Sequence, residues 1–444
     1  MFTRPRGTRD FGTAEMARRL AFENLLEVRA SRHGFKRVQT PIFESLDLFT
    51  AKSGPGVVGQ LYAFEDKGER KLTLRPELTA PVMRAVAQEM RQEPKPLKLS
   101  YFGQCFRYEE FKTGRYREFF QYGVELIGAA GPIADAEIVA LAVDMLASSG
   151  LVDWELKIGN VGILRDLLTG LGLSVEASEG ENEPQIATAM RLLDKGDWQG
   201  LTELFANIGV KDGAVDGLKE LAGLAGGVET LAAAREILTR FEVELSSLDE
   251  LEIMLNSLSL LAVAPPSLSV NLCVARGLDY YTGMVFECHV PELGGEGQVL
   301  GGGSYRLMHL FGLDELDPCC GFGLGFDRVL LALEAQAERL GRDEVVPGEA
   351  SKEPVLAVVP FKIDANEVLP LVKELRDSGM KVELELRSRK LGRSFGWAES
   401  IGATHVMVVG PNDLQAGVGA LKNLQTGNQV EVPLNAEQIK TLLA

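Results

Sequence analysis

Apolar and polar residues alternate with period two from position 101 to 128, in the stretch YFGQCFRYEEFKTGRYREFFQYGVELIG. The alternation predicts two antiparallel strands, Tyr101–Glu109 and Arg117–Ile127, joined by the residues between them. In the second strand Gln121, Gly123 and Glu125 fall at even spacing, so they share one face. A glycine between two polar side chains predicts a hollow with polar walls on that face.

The predicted hairpin carries arginines in apolar surroundings, and Arg107 stands directly beside aromatic residues. A guanidinium among apolar groups is costly to bury without an anion, and its planar fork matches carboxylate and phosphate groups. Two interpretations stay open on this pattern alone. The anion is a bound ligand, or it is internal, with Arg107 paired to Glu125 or Arg117 paired to Glu109.

Two patterns before the hairpin predict further elements. Apolar residues at helical spacing, including Met16, Leu20 and Val28, predict the buried face of a helix over Thr13–Arg32. A strand from Phe35 follows and closes at Pro41. This pattern is typical of many folds and indicates no function by itself.

A polar pair marks the junction between a predicted strand, which begins at Leu72, and a predicted helix over Thr79–Arg91. Glu77 and Thr79 stand two residues apart at this junction. One interpretation is helix capping, with an acid near the positive end of the helix. The other is a carboxylate and a hydroxyl that accept hydrogen bonds from a substrate ammonium.

The character of the chain changes twice beyond the hairpin. Residues 161–264 are rich in Ala, Leu, Gly and Glu at helical spacing and carry no chemical motif, which predicts a mainly helical insertion. Residues 336–353 are polar and unpatterned, which predicts a linker. In residues 354–444 strands and helices alternate, which predicts a small α/β domain with a mostly parallel sheet.

Composition narrows the class of protein. The chain has 444 residues with 45% hydrophobic and 25% charged residues, which is ordinary for a globular protein of roughly two to four domains. No apolar run is long enough for a membrane span, and the N-terminus has no apolar signal core. Five cysteines without a CxxC pair and only four histidines argue against structural zinc and favour a reducing, cytoplasmic compartment.

The net charge of −17 argues against a broad basic surface for nucleic acid, although a local basic stripe can still bind RNA. The densest basic cluster of the chain lies in the last domain and consists of Arg387, Arg389, Lys390 and Arg393. The cluster is either a solvated helix start or an RNA contact.

Several strings of the sequence resemble the histidyl-tRNA synthetases, a family of class II aminoacyl-tRNA synthetases. The hairpin is similar to class II motif 2, RGTRDF at 6–11 to the family's N-terminus, and the strand closed by Pro41 to motif 1. RGLDYYTGMVFE at 276–287 matches a string typical of this family, and GFGLGFDR at 321–328 is similar to motif 3. KLGRSFGWAESIGA and LKNLQTGNQVEV resemble the family's anticodon-binding domain. Without the resemblance, RGLDYY would be an ordinary hairpin with an Arg276–Asp279 pair.

The resemblance implies an α+β fold: a class II antiparallel sheet flanked by helices, a helical insertion, and a C-terminal α/β anticodon-binding domain. The catalytic domain would comprise residues 1–160 and 265–335, interrupted by the insertion. The implied activity joins histidine to ATP as histidyl-adenylate, with release of pyrophosphate, and then transfers histidine to the 3′ end of its tRNA. A cytoplasmic homodimer formed through motif 1 is also implied.

The resemblance also implies roles for particular residues. The catalytic residues would be Arg107 and Arg276, both at the α-phosphate. ATP, with Mg²⁺ across its outer phosphates, would be bound by Arg107, Glu109, Arg115, Phe119 and Arg328. Histidine would be bound by Glu77, Thr79 and Gln121 at its ammonium, by Glu125, Tyr281 and Tyr305 at its imidazole, and by Arg276. The tRNA would contact Arg387, Arg389, Lys390 and Arg393. No protein residue is expected to bind a metal.

The chain departs from the family next to Tyr305. Many members carry arginine before this tyrosine and aspartate and glycine after it, where the chain has Ser304, Arg306 and Leu307. The departure bears on one wall of the implied histidine pocket.

Three other interpretations belong to the same fold. One is a histidine-binding regulatory relative of ATP phosphoribosyltransferase that charges no tRNA; such relatives usually lack the C-terminal domain and much of the arginine set, which this chain has. Another is a synthetase-like tRNA sensor, but no kinase motif accompanies it here. A synthetase for another amino acid would keep the ATP site but not RGLDYY together with Glu125.

Overall fold

The computed structural model describes residues 2–53, 55–108, 116–175, 183–210, 213–273, 281–349 and 353–443. The chain forms two compact units, Met1–Glu349 and Ala350–Ala444.

The first unit is built from mixed strands and helices. Its described strands are β1 (Lys36–Arg37), β2 (Phe43–Ser45), β3 (Ala63–Glu65), β4 (Lys71–Leu74), β5 (Leu97–Phe106), β6 (Glu118–Ile127), β7 (Glu155–Asn160), β8 (Ser267–Val270), β9 (Tyr281–His289), β10 (Gln298–Tyr305) and β11 (Cys319–Gly325). Its described helices are α1 (Thr13–Arg32), α2 (Leu46–Ser53), α3 (Thr79–Glu89), α4 (Pro132–Ser148), α5 (Val161–Gly170), α6 (Gln185–Asp194), α7 (Trp198–Ile208), α8 (Ala214–Gly223), α9 (Thr230–Arg240), α10 (Ser246–Leu260) and α11 (Phe326–Leu340). The α+β composition expected from the sequence is therefore confirmed.

The centre of the first unit is a sheet of eight described strands in the order β1-β5-β6-β11-β10-β9-β7-β8. The six inner strands pair antiparallel, and the two edge pairs, β1–β5 and β7–β8, are parallel. A second, three-stranded sheet has the order β2-β4-β3.

The predicted hairpin forms β5 and β6, in a register that pairs Cys105 with Phe119 and Tyr101 with Gly123. The first strand begins earlier than predicted, at Leu97, because Leu97 and Leu99 continue the same alternation of buried positions. The predicted connecting loop lies outside the described residues.

Helices α1, α4 and α11 cover one face of the large sheet, whereas α3 packs on the other face beside the site. Tyr122, Val124 and Leu126 point from β6 into a core shared with α1, α4 and α11. Helix α4 is buried on nearly all of its sides, which is typical of a helix with apolar residues on every side. Glu125, which alternates with these residues, points to the opposite face.

Helix α1 has the predicted bounds but not the predicted buried face. Phe22, Leu26 and Ala30 are buried, whereas Met16 and Leu20 are exposed. The sequence carries two apolar stripes on this helix, and the first unit covers only one of them. The exposed stripe is available to another surface.

The insertion is helical, as predicted, and its described helices α5 to α10 end at Leu260. It is not a detached satellite, because α5 packs on β9 and α10 packs on α4. Side chains of α5 such as Leu164 and Leu167 are fully buried in the main core.

The predicted linker begins too early at residue 336. Helix α11 continues to Leu340, because Gln336 and Ala337 are buried against the unit. Val346 is also buried, and Glu349 accepts a hydrogen bond from Arg18 at 3.0 Å. The first unit therefore extends to Glu349.

The second unit is an α/β domain with a mixed sheet. Its described strands are β12 (Val355–Pro360), β13 (Lys381–Leu384), β14 (His405–Val409), β15 (Val418–Asn423) and β16 (Gln429–Pro433), and its helices are α12 (Leu369–Asp377), α13 (Leu391–Ser400), α14 (Pro411–Ala416) and α15 (Ala436–Leu443). The order is β13-β12-β14-β15-β16, parallel up to β14 and antiparallel after it. The prediction of a mostly parallel sheet is wrong, since the short connection from β15 to β16 allows only a hairpin.

Candidate active site

Two cavities meet on the face of the large sheet opposite α1, α4 and α11. The smaller has a volume of about 200 Å³ and the larger about 420 Å³. Both are lined by Arg107, Gln121, Gln298, Gly301 and Gly323, so they are neighbours with a common wall. Arg107 and Gln121 come from the hairpin that the sequence singled out.

The larger cavity brings together all the described residues that the sequence assigns to histidine. Its lining includes Glu77, Thr79, Gln121, Glu125, Tyr281 and Tyr305. They come from the start of α3 and from three strands of the sheet that are distant in sequence. Arg276 lies outside the described residues.

Glu125 is the deepest charged group of the larger cavity, with a side chain only 1% exposed. Its carboxylate accepts hydrogen bonds from the hydroxyls of Tyr101, at 2.8 Å, and Tyr305. Burial raises the pKa of Glu125 to about 7, against the opposing effect of these donors. Among the described residues Glu125 pairs with these hydroxyls and not with Arg107, so that internal ion pair is not formed.

Tyr101 is a site residue that the sequence analysis missed. Its hydroxyl lies 3.3 Å from the Thr79 hydroxyl as well as beside Glu125, so it links two residues of the cavity wall. A Cβ on Gly123 would lie 2.4 Å from the Tyr101 ring. The hollow predicted above Gly123 is therefore filled by an aromatic ring, and the glycine makes the room for it.

Glu77 caps the helix that borders the larger cavity. Its carboxylate accepts the N–H of Thr79 at 2.6 Å and the N–H of Ala80 at 3.2 Å. The capping interpretation is thus correct, and the capped carboxylate also lines the cavity. Capping fixes the position of this negative charge at the cavity wall.

Glycines of β10 and β11 form the floor of the two cavities. A Cβ on Gly323 would lie 2.2 Å from the amide nitrogen of Gln121, and one on Gly321 would lie 2.0 Å from Glu125 Oε2. Glycine at these positions lets the polar side chains of β6 lie flat across the neighbouring strand.

Replacing Gly321 by alanine is expected to lower the free energy of unfolding by about 1–3 kcal/mol, because the new methyl group also meets Val124 O at 2.3 Å. Chemical denaturation measures the change. Gly392→Ala in α13 is the control, since no atom lies within 4 Å of its new Cβ. Equal stability of both variants would contradict the close packing described here.

The smaller cavity collects the described residues that the sequence assigns to ATP. Its lining includes Arg107, Phe119 and Arg328. The Arg107 guanidinium donates to Pro76 O at 3.0 Å and lies 5.2 Å from the centre of the Phe119 ring. Arg328 donates to Gln298 O at 2.9 Å. Glu109 and Arg115 lie outside the described residues.

Asp327 is a second residue that the sequence analysis missed, although it stands inside the motif 3 string. It lines the smaller cavity, and its carboxylate accepts hydrogen bonds from Arg9 and Arg19. An acid directly before the expected phosphate-binding arginine was the available signal in the sequence.

The residues beside Tyr305 that differ from the family are not part of the cavity walls. Ser304, Arg306 and Leu307 line neither cavity, and Arg306 is exposed. The Ser304 hydroxyl instead donates to the buried carboxylate of Asp135 at the start of α4. The strand alternation explains the direction of Ser304, since it precedes Tyr305 in β10 and points to the opposite face.

Burial raises the pKa of Asp135 to about 6 from its ordinary value of 3.8. Its contribution to stability is therefore complete below about pH 4 and is lost as pH rises through about 6. Relative to Asp135→Asn, which keeps the shape and the acceptor, the wild type should lose on the order of 2 kcal/mol of unfolding free energy between about pH 4 and pH 7. Urea titrations at both pH values measure this, and a difference that does not vary with pH would contradict it.

One part of the basic cluster in the second unit forms hydrogen bonds within the protein. Glu385 accepts the backbone N–H groups of Arg387 and Arg389 and the Arg389 guanidinium. Arg389 also lies 5.4 Å from the Trp397 ring. The other three members, Arg387, Lys390 and Arg393, are exposed. Arg389 therefore shapes the loop that displays them.

The described part of the chain lacks two further features. No group of three or more His, Cys, Asp or Glu side chains there is placed to hold a metal ion. No helix there combines the length and apolar character that a membrane span needs.

Comparison with known proteins gives consistent matches. The model of the family described as histidyl-tRNA synthetase matches residues 7–329, and that of the anticodon-binding domain matches 356–441. A histidine–tRNA ligase of Archaeoglobus fulgidus is 41% identical over 97% of both chains, and one of Methanosarcina acetivorans is 41% identical over 96% of this chain and 95% of its own. The crystal structure of histidyl-tRNA synthetase from Nostoc sp. covers 100% of both chains with a TM-score of 0.75 at 24% identity, which supports the fold.

Proposed function

Because the chain belongs to the histidyl-tRNA synthetase family, we propose that it activates histidine with ATP and attaches it to its tRNA. One observation carries the proposal: a cavity with the polar groups for an amino acid shares a wall with a cavity that holds arginines and an aromatic ring. The carboxylate of one substrate can then meet the α-phosphate of the other at that wall.

The larger cavity is proposed to bind histidine. Glu77, Thr79 and Gln121 offer oxygen acceptors for the ammonium group. At the deep end, Glu125 retains acceptor capacity for an imidazole N–H, and Tyr281 and Tyr305 complete the polar surroundings. A pocket built to pair both ring nitrogens rejects apolar isosteres, because they would leave its buried polar groups without partners.

The smaller cavity is proposed to bind ATP. Phe119 offers a face for adenine, and Arg328 is a fixed positive charge for the outer phosphates. Arg107 belongs to the wall that both cavities share, which is where the α-phosphate and the histidine carboxylate must meet. Glu109, Arg115 and Arg276 are proposed as further ligands from the sequence resemblance alone.

The first chemical step needs positioning and positive charge more than proton transfer. A histidine carboxylate oxygen attacks the α-phosphorus, and pyrophosphate leaves. In the second step the ribose 3′-hydroxyl of tRNA attacks the carbonyl of the adenylate, and AMP leaves. Arginines that stabilise the charge on phosphate oxygens suit such chemistry. Mg²⁺ is proposed to enter with ATP, as part of that substrate, and it would neutralise charge on the outer phosphates.

The second unit is proposed to bind the anticodon end of tRNA. Arg387, Lys390 and Arg393 offer exposed positive charge, whereas Arg389 acts by holding the loop through Glu385. Because the whole chain carries a net charge of −17, binding to other RNA should be weak and sensitive to salt.

A homodimer is proposed from surface chemistry. Ile42 and Phe43 expose apolar side chains directly after the motif 1 proline, and Phe64 of β3 and Met16 and Leu20 of α1 are also exposed. A dimer interface would remove these apolar side chains from water. The mass in solution, measured by sedimentation, should be twice that of the chain. The five free cysteines support a reducing compartment such as the cytoplasm.

ATP–pyrophosphate exchange with one amino acid at a time, without tRNA, tests the proposed activity. Exchange that depends on histidine alone is expected, followed by charging of tRNA with histidine. If histidine raises the thermal stability but supports no exchange, the regulatory relative of ATP phosphoribosyltransferase becomes the better interpretation.

A further inference from the structure

The N-terminal segment, defined here as residues 4–11, is attached to the start of β6. Gly7 O accepts the backbone N–H groups of Arg117 at 2.9 Å and Glu118 at 3.3 Å. Gly7 has a φ of +84°, and a Cβ there would lie 2.7 Å from Arg117 Cγ. The segment therefore lies directly against the residues that precede Phe119 and Phe120 in the wall of the smaller cavity.

Asp327 connects this segment to the smaller cavity. It is only 4% exposed. Its Oδ1 accepts from Arg9 at 2.6 Å and from Arg19 at 2.7 Å, and its Oδ2 accepts the backbone N–H of Phe120 at 2.7 Å. One carboxylate thus fixes the backbone beside Phe119 and, through the chain, the neighbouring Arg328.

Arg9 makes a second contact with the cavity wall. Its guanidinium lies 3.8 Å from the centre of the Tyr116 ring, and Tyr116 lines the smaller cavity. A guanidinium over an aromatic face adds attraction that a smaller cation does not reproduce in the same geometry. Arg9 therefore contacts Tyr116 directly and is linked to Phe120 through Asp327.

We propose that Arg9 is a positioning residue for ATP: through Asp327 and the Tyr116 ring it holds the aromatic wall and Arg328 in the arrangement that ATP needs. This inference rests on the proposed function of the smaller cavity. Arg9 lines neither cavity, so it acts through the residues it holds. Its partner Arg19 continues to neutralise Asp327 when Arg9 is replaced, so the fold does not depend on Arg9 alone.

The test compares Arg9→Met and Arg9→Lys with Arg4→Ala in the exchange assay. Arg9→Met should raise KM for ATP by about tenfold, the size expected when one charge-assisted hydrogen bond is lost, and leave KM for histidine within about twofold. Arg9→Lys should recover part of the loss, because it restores the charge beside Asp327. Arg4 is an exposed arginine of the same segment, 3.7 Å from Asp10, and its removal should change neither constant.

A split between the two KM values distinguishes positioning from loss of fold, since a general loss of structure would raise both. An equal change in both constants, or no change in either, would overturn the proposal. A wild type without histidine-dependent exchange would overturn the proposed function instead. ATP binding to the three variants, measured by calorimetry, would then still decide the role of Arg9: an unchanged affinity of Arg9→Met overturns it, and a loss that Lys partly restores supports it.

Discussion

Arg107→Ala is expected to slow histidine-dependent ATP–pyrophosphate exchange by about 10²–10³-fold, the effect typical of removing one preorganised donor to a developing oxyanion. Arg107 lines both cavities, and its hydrogen bond to Pro76 O and its place beside the Phe119 ring hold the guanidinium at their common wall. The loss should fall mainly on the rate of adenylate formation. Rapid-quench measurement of a single turnover checks this rate.

Arg37→Ala is the matched control for this experiment. The Arg37 guanidinium also lies beside aromatic rings of β5 and β6, 5.6 Å from Phe102 and 5.7 Å from Tyr122, but outside both cavities. It pairs with acids of α1, so its loss removes an arginine and its contacts with the same hairpin without a change in either cavity lining. A single-turnover rate for Arg107→Ala as high as that of Arg37→Ala would refute the catalytic role of Arg107.

Glu125→Gln is expected to raise KM for histidine by about 100-fold while KM for ATP stays near the wild-type value, because a buried polar site discriminates strongly once its pairing is wrong. Glutamine keeps the volume of the side chain but replaces one acceptor oxygen with a donor, which then faces the hydroxyl of Tyr101 or Tyr305. Exchange kinetics at varied histidine and varied ATP separate the two constants.

A variant without one tyrosine hydroxyl serves as the comparison for Glu125→Gln. Tyr305→Phe leaves the Glu125 carboxylate in place and still partnered by Tyr101, so its effect on KM for histidine should be smaller than that of Glu125→Gln. A Glu125→Gln variant whose two KM values rise by the same factor would show that the residue supports the fold of the site and does not select histidine.

Local periodicity was sufficient to predict the elements that carry the site. The alternation through 101–128 predicts β5 and β6, and the pattern around Glu77 places this residue where a strand meets a helix, as the structure has it. Such features depend on residues close in sequence. The resemblance to a family then predicted which of these side chains face common cavities.

Features that depend on strand register could not be predicted in the same way. The glycine opposite Glu125 is Gly321, nearly two hundred residues later, and only the pairing of β6 with β11 brings the two together. The filling of the Gly123 hollow by Tyr101 depends on the register of β5 against β6. The prediction of the buried face of α1 was wrong. Two apolar stripes compete on that helix, and only the packed core decides which of them is buried.

The common wall of the two cavities has a consequence for inhibition. Two separate ligands each lose translational and rotational freedom when they bind, whereas one molecule that spans both cavities loses it once. A stable mimic of histidyl-adenylate, with an uncleavable link in place of the mixed carboxylic–phosphoric anhydride, would therefore bind far more tightly than histidine or ATP alone. The end of the mimic that enters the larger cavity would reach Glu125, and the other end would lie in the smaller cavity against Phe119.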